Sequence, residues 1–489
     1  MQKLLKPYKT IFLLSPLFLA ACAVTAPNAT TAQLDAATAT KWYSPLPYTS
    51  AVAAKSDLPH QGSVAALANW WQSLGDPLLV ELIASAQAAS PSVTTAASRI
   101  AQARSAVVNT GAASGPNVSA AANASRGINQ LNVPLASLGN VGLQASWEID
   151  LWGGNRAAQD AAQARLAGSQ AGWHEARVSV AAEVANTYLN LRTCELLVNV
   201  AKDDVTSRTE TSRLTGLLAN AGFTAPANAA LARASNAQSQ SMLTMQRTQC
   251  DMQVKALVAL TTFSEPEIRS KLSSNIAAAG VSSALTAMNK VAIPALPAQL
   301  LTQRPDVFAA QQEVAAASGD VGSAQAGKYP RLGLNGSLGL QGISSGGVSV
   351  NGATWSIGPV SVTLPILDGG RSSAAVDLAN ANYEAASANY RAKVRSAVRE
   401  VEEALLSVQS AADRLQDAAI ATEGYGAAFV ASEARFKSGL GSLSDLEDTR
   451  RTALAAKTAL LNLERERSAA WVALYRAVGG GWTPTAKSM

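Results

Sequence analysis

The sequence predicts an α+β membrane protein: a twelve-stranded β-barrel shared by three copies of the chain, four strands from each, continued by a long α-helical barrel. Three observations predict it. From Val141 to Leu151 the chain alternates strictly, with Val141, Leu143, Ala145, Trp147, Ile149 and Leu151 on one side and Gly142, Gln144, Ser146, Glu148 and Asp150 on the other. After Gly153-Gly154 no proline occurs until Pro226, and the intervening residues are good helix formers. Finally, Pro305, Val307, Val314, Val321 and Pro330 lie 214 residues after Pro91, Val93, Ile100, Val107 and Pro116, so the second half repeats the first. The strand alone fits a half-buried strand of a soluble sandwich equally well. Yet at ~3.3 Å per residue and a tilt of roughly 40° it climbs ~27 Å, about the hydrocarbon thickness. A helix from Asn155 to about Ala221 would be ~100 Å long, more than a compact domain needs.

Residues 1–21 read as a signal peptide. Lys3, Lys6 and Lys9 precede an apolar run from Ile11 to Ala21 that is too short to span a bilayer. Leu19-Ala20-Ala21-Cys22 looks like a lipobox, which makes Cys22 the lipidated N-terminus of a bacterial lipoprotein; the alternative is an ordinary signal with a chance cysteine. Ala23 lacks the aspartate associated with inner-membrane retention, so the outer membrane is the expected destination. Loss of the signal leaves 36 basic against 34 acidic residues, and the pI of 9.1 makes no case for nucleic acid. Aromatics at 5% and charge at 15% suit closely approaching, alanine-rich helices better than a large globular core.

Residues 22–68 form the lipid anchor and an Ala/Thr/Pro-rich linker, and helices of the first repeat occupy 69–115. Asp76 can cap a helix whose first turn holds Pro77. A second helix starts after Pro91, with Val93, Ile100 and Val107 every seven residues and Ala96 and Ala103 between them, and breaks at Gly111 to Pro116. The first membrane hairpin spans 116–152, with a loop at roughly 126–140. Residues 153–262 hold the long helix, a tip at Ala221-Gly222-Phe223 and a return helix, and 263–304 form an equatorial linker. The second repeat follows: a helix at 305–329, a hairpin at 330–367, the long helix, tip and return helix at 368–478, and a tail at 479–489. Its hairpin has alternating Leu332, Leu334, Leu338 and Leu340, a loop at Gly342 to Gly352, and a strand Thr354 to Leu364 that slips phase at Gly358-Pro359, where a bulge is expected. Four strands cannot close a membrane barrel and an open edge is not tolerated in lipid, so several copies must share one; three give twelve strands.

At this point the residues carry a family likeness. The chain resembles, over nearly its whole mature length, the TolC/OprM-like outer membrane factors, and more closely the NodT-type lipoprotein branch of resistance-nodulation-division (RND) efflux systems. The likeness rests on Trp70 to Leu79, Ala145 to Arg156, Ile293 to Pro297 with Leu300 to Val307, Leu364 to Arg371, and Leu474 to Trp482. It implies a homotrimer in the outer membrane that extends into the periplasm with an equatorial collar. A periplasmic adaptor and an inner-membrane RND pump are the implied partners at the tip. The chain would then be a passive conduit carrying small molecules such as drugs and toxic compounds. Asp445 and Asp448 fall where the family narrows the periplasmic entrance, and Gly439, Leu440 and Gly441 match the turn that meets the adaptor. The competing reading of Asp445, Glu447 and Asp448 is as negative charges at a helix N-terminus. In the first tip Asn228 stands where many relatives have Asp, so no charge role is carried there.

Cys194 and Cys250 each lie 28 residues from Gly222, which sets them level on a hairpin turning at that glycine. A disulfide is expected in the oxidising periplasm, against the alternative of two buried thiols at equal distances. No catalytic, cofactor or metal constellation is readable. His60 and His174 are far apart, His174-Glu175-Ala176-Arg177 lacks the second histidine of a zinc protease motif, and His174 reads as a helix-surface residue. Glu148 and Asp150 are expected to face a water-filled lumen. The competing functions are an outer-membrane conduit of an ATP-driven type I protein secretion system and, from a different class, a trimeric coiled-coil lipoprotein or adhesin.

Overall fold

The computed structural model describes residues 27, 70–128, 135–279 and 304–482. The signal 1–21, Cys22, His60, the rest of the N-terminal linker save Pro27, most of the equatorial linker and the tail beyond 482 lie outside them. In chain order the elements are α1 (Trp70–Ser73), α2 (Pro77–Ala89), α3 (Pro91–Ala113), β1 (Asn117–Gly127), β2 (Ala136–Ile149), α4 (Gly154–Asn220), α5 (Pro226–Leu260) and α6 (Glu265–Ala279). There follow α7 (Pro305–Ala326), β3 (Arg331–Ser345), β4 (Val348–Thr363), α8 (Arg371–Lys437) and α9 (Leu443–Ala477). Both α4 and α8 have 67 residues, and both α5 and α9 have 35, so the duplication extends to element length. Among the described residues, no helix is long and apolar enough to cross a membrane.

The chain divides into two compact units. The first holds residues 97–171 and 308–393: the sheet, the start of α4, nearly all of α7 and the start of α8. There α7 lies antiparallel against α4 on small residues. A Cβ added to Gly154 would meet the Ala326 Cβ at 2.7 Å, one on Gly319 the Ala157 oxygen at 2.7 Å, and one on Gly168 the Ala309 oxygen at 3.5 Å. Arg165 of α4 reaches across to Asp320 at 2.5 Å and Glu313 at 3.3 Å, and the hydrogen bond to Asp320 holds its pKa above the ordinary value.

Of the described residues, the second unit holds 70–96, 172–279, 304–307 and 394–482. Asp76 caps α2, accepting from the amides of Leu78 (3.1 Å) and Leu79 (3.3 Å), and Pro77 opens the helix with no amide to lose. Asp76 is buried because the Tyr188 hydroxyl (2.6 Å) and the Asn275 amide (3.2 Å) donate to it, while Arg192 donates to Tyr188 and Asn275. Asn275 belongs to α6, so the expected linker from 263 begins as a helix; Glu265 and Glu267 in its first turn favour it there.

The Trp70-Trp71 and Gly479-Gly480-Gly481-Trp482 motifs meet in this unit. Trp70 stacks on Tyr475 at 4.8 Å and Trp71 meets the same ring edge-on at 4.9 Å. The three glycines all have positive φ, and a Cβ on Gly480 would overlap the Val178 methyls. On α3 the non-exposed residues up to Thr110 are Val93, Ala96, Ile100, Ala103, Val107 and Thr110, which is the expected heptad seam. The corresponding Val307, Ala310, Val314, Ala317 and Val321 of α7 are all buried.

Candidate functional site

The four strands form one antiparallel sheet in sequence order. Paired residues point to the same side, so the register assigns two faces. One face carries, from the helix-proximal end, Ile149, Leu332 and Val362; then Trp147, Leu334 and Val360; then Val118, Ala145, Gly336 and Ile357. Above these come Ala120, Leu143, Leu338 and Trp355, and then Ala122, Val141, Leu340 and Ala353. Every one is apolar, and Trp355 and Ile357 are 74% and 85% exposed, so nothing among the described residues covers them. The opposite face over the same height is polar or small, with Glu148, Asn117, Ser146, Asn335, Gln144, Ser337, Ser356, Asn123, Asn140 and Gln341.

The apolar face of β4 keeps its phase through a bulge. Leu334 pairs with Val360 and Gly336 with Ile357, so Gly358 and Pro359 together oppose Asn335. This is where the phase slip was expected. The expected loop from Gly342 to Gly352 is instead strand on both sides of Gly346 and Gly347, whose φ values of 57° and 85° suit a two-residue hairpin turn. Weak β-propensity at these Gly, Ser and Asn positions is overridden by the ladder that β2 supplies to β3. Likewise β2 begins at Ala136, inside the expected loop, and ends at Ile149. Asp150 therefore does not line the polar face as expected: it leaves the strand and accepts the Arg156 amide at 2.9 Å, capping α4. On the polar face a Cβ at Gly142 would lie 2.6 Å from the Leu338 oxygen and one at Gly339 2.6 Å from the Val141 oxygen, the crowding of a sheet curled with that side concave.

The two helical tips share one device. In α8 the Leu440 amide bonds the Arg435 oxygen (2.8 Å) and the Gly439 amide the Phe436 oxygen (3.0 Å); in α4 Phe223 and Gly222 do the same to Leu218 and Ala219 (2.8 and 3.1 Å). These are Schellman closures around a left-handed glycine, with φ of 73° at Gly439 and 80° at Gly222. Each leaves the next side chain in solvent, Leu440 at 76% and Phe223 at 82% exposure. A Cβ at Gly441 would sit 3.1 Å from the Phe436 nitrogen, so the tip backbone folds tightly onto the helix end.

Ser442 caps α9 through the Asp445 amide at 3.0 Å. Asp445 and Asp448 are both exposed; Asp448 pairs with Arg451 at 3.0 Å, and Asp445 has no ion-pair partner among the described residues. Glu447 between them turns inward. It takes Arg450 and Arg208, the latter at 2.5 Å, while Arg208 also holds Asp204 at 2.9 Å and Arg450 donates to Thr211 at 2.9 Å and Ser207 at 3.1 Å. Arg450 is 1% exposed, and desolvation lowers its pKa against the opposing pull of Glu447. This cluster was missed in the sequence; its signals there are the pairs Asp204 and Arg208 at i, i+4 and Glu447 and Arg450 at i, i+3.

Cys194 of α4 and Cys250 of α5 are joined, with Cα atoms 5.5 Å apart. His174 is half-buried rather than a helix-surface residue, packed at 4.9 Å from Trp173 and 6.1 Å from Trp482. Desolvation, then Arg177, lowers its pKa. Among the described residues no group of His, Cys, Asp and Glu could hold a metal ion.

Comparison with known proteins places this geometry. The family model described as outer membrane efflux protein matches residues 82–262 and 296–480. The solvent efflux pump outer membrane protein SrpC of Pseudomonas putida is 26% identical over 345 residues, covering 70% of this chain and 71% of that protein. The pyoverdine export outer membrane protein OpmQ of Pseudomonas aeruginosa is 27% identical over 462 residues, covering 90% and 93%. The solved structure of the outer-membrane channel OprN superposes with a TM-score of 0.75 at 23% identity, covering 94% of this chain and all of that one.

Proposed function

Because the chain belongs to the outer membrane efflux protein family, we propose that three copies form the exit conduit of a tripartite efflux system. One observation carries this reading: the four-stranded sheet has a face that is apolar over its five helix-proximal rows and, among the described residues, two unpaired edges, on β1 and β4. Unpaired strand edges are not tolerated in hydrocarbon. Pairing β4 of one copy with β1 of the next removes every edge, and three copies give about twelve strands, a closed barrel with a watery interior. The polar face then lines the conduit. Cys22 carries the lipid that tethers each copy to the outer membrane.

In this reading the exposed Leu440 and its flanking Gly439 and Gly441 meet a periplasmic adaptor, through which an inner-membrane RND pump delivers cargo. Asp445 and Asp448 form two carboxylate rings at the entrance. Small organic molecules are the cargo class, in keeping with the solvent and pyoverdine systems of the relatives SrpC and OpmQ. The test is photocrosslinking in the native cell from an unnatural amino acid at Leu440, since a side chain at Gly441 would crowd the Phe436 nitrogen at 3.1 Å. Capture of the adaptor of a proton-driven pump is expected. Capture of an ATP-driven exporter's adaptor would instead make the conduit a secretion channel, and capture of no adaptor, with surface controls working, would displace the tip from this role.

A further inference from the structure

The register shows that the two faces of the sheet exchange character near its helix-distal end. Above the row of Asn123, Asn140, Gln341 and Gly352, the face that was apolar carries Ala124, Gly139, Gly342 and Asn351, then Arg126, Ser137, Ser344 and Ser349. The face that was polar carries Ser125, Leu138, Ile343 and Val350, then Gly127, Ala136, Ser345 and Val348. No register shift falls in this part of the sheet, so the inversion is written in the residues. Ile343 is 42% exposed, and Val348 and Val350 are each 65% exposed. Lipid cannot be what they meet, because the other side of the same rows is the side that faces lipid lower down, and here it bears Arg126, Asn351 and serines.

The geometry points to a hydrophobic collar lining the outer mouth of the conduit, built from Leu138, Ile343, Val348 and Val350 of each copy. This rests on the trimeric reading above, which makes the polar face the lumen. Strands β2 and β3 join the helices at Ile149 and Arg331, so the hairpin ends lie at the opposite, external end of the sheet. Closing the barrel brings three identical apolar patches to one height around one axis. Such a ring replaces the polar wall by an apolar one at that height and disfavours charged solutes relative to apolar ones. The Asn123, Asn140 and Gln341 row directly beneath it offers amides to a solute that has passed the collar.

The experiment uses the full-length protein in intact cells, with one added cysteine and a charged, membrane-impermeant maleimide. Gln144→Cys reports the lumen below the collar, Ser349→Cys the outer surface, and Ser270→Cys, exposed on α6, marks exposure times at which reagent has entered the periplasm. At times when Ser270→Cys is unlabelled, Gln144→Cys is expected to react at least ~10-fold more slowly than Ser349→Cys. Ile343→Thr with Val350→Thr, which keep β-branched shapes, should bring the two rates together; Val350→Thr alone serves if the double variant does not assemble. Labelling of Gln144→Cys as fast as Ser349→Cys without these changes, or no acceleration with them, would overturn the collar. Native mass of the purified protein separates the two readings. A trimer with a fast-labelling Gln144→Cys removes the collar alone, whereas a monomer removes the assembly and the collar with it.

Discussion

At the scale of single residues, Gly480 and Asp368 show how much a motif can hide. Gly480 combines a φ of 62° with a site where an added Cβ would overlap the Val178 methyls and lie 3.1 Å from the Tyr475 hydroxyl. Gly480→Ala should therefore cost ~2–4 kcal/mol, read as a lowered melting temperature of the purified protein. Asp368 accepts from the Ser372 hydroxyl, the Ser372 amide at 2.9 Å and the Gly370 amide at 3.0 Å, which together draw its pKa from 3.8 down to about 2. The folded chain thus binds this proton less readily than the unfolded one. The stabilisation is complete above the unfolded value of 3.8 and is lost as the pH falls through about 2. The difference in unfolding between the parent and Asp368→Asn should accordingly be flat near neutrality and vanish at that acidic limit. The sequence shows the glycines and the aspartate but not these partners. Asp150, which looked like a lumen carboxylate from its parity, takes the equivalent capping role at α4 because the strand stops one residue earlier.

At the scale of elements, patterns with a short period were legible and long-range pairings were not. The lengths of α4 and α8, the Asp76 cap, the heptad seam and the bulge at Gly358-Pro359 all follow from local residues. The level of Cys194 with Cys250 followed from counting to a glycine, and their bridge closes a 56-residue separation, worth ~4 kcal/mol in the chain-entropy account. The pair of Glu447 with Arg450 at i, i+3 could be read locally, but the burial of Arg450 could not, because its partners on α4 lie 239 and 243 residues away. Truncating it strands Glu447, which is 18% exposed, beside Arg208 alone and opens a void under Phe429. Arg450→Ala should destabilise by ~3–5 kcal/mol, whereas the volume-matched double change Arg450→Met with Glu447→Gln should recover much of that loss in a thermal unfolding series.

At the scale of the whole molecule, the duplication explains why one chain carries two tips of the same construction but different charge. Asp445 and Asp448 belong only to the second, and the first tip has Asn228. Three copies would then place about six carboxylates on one ring of helices, so the entrance should favour cations. Replacing both residues by Asn is expected to shift the reversal potential in a salt gradient toward zero, measured on single channels in a planar bilayer. An unchanged potential would assign the two aspartates to the helix dipole alone.

The bulge in β4 also has a genetic meaning. In a strand, loss of one codon ordinarily acts like a frameshift, turning every side chain beyond it to the wrong side. Gly358 and Pro359 occupy the space of a single residue opposite Asn335, so this strand already contains an insertion together with its suppressor. A scan of single-codon deletions along β4, read by the yield of assembled protein at the cell surface, should find tolerance at Gly358 or Pro359 and intolerance two or more residues away. The second hairpin would thereby disclose, as an in-frame scar, an extra residue that the strict alternation of Val141 to Leu151 in the first hairpin does not carry.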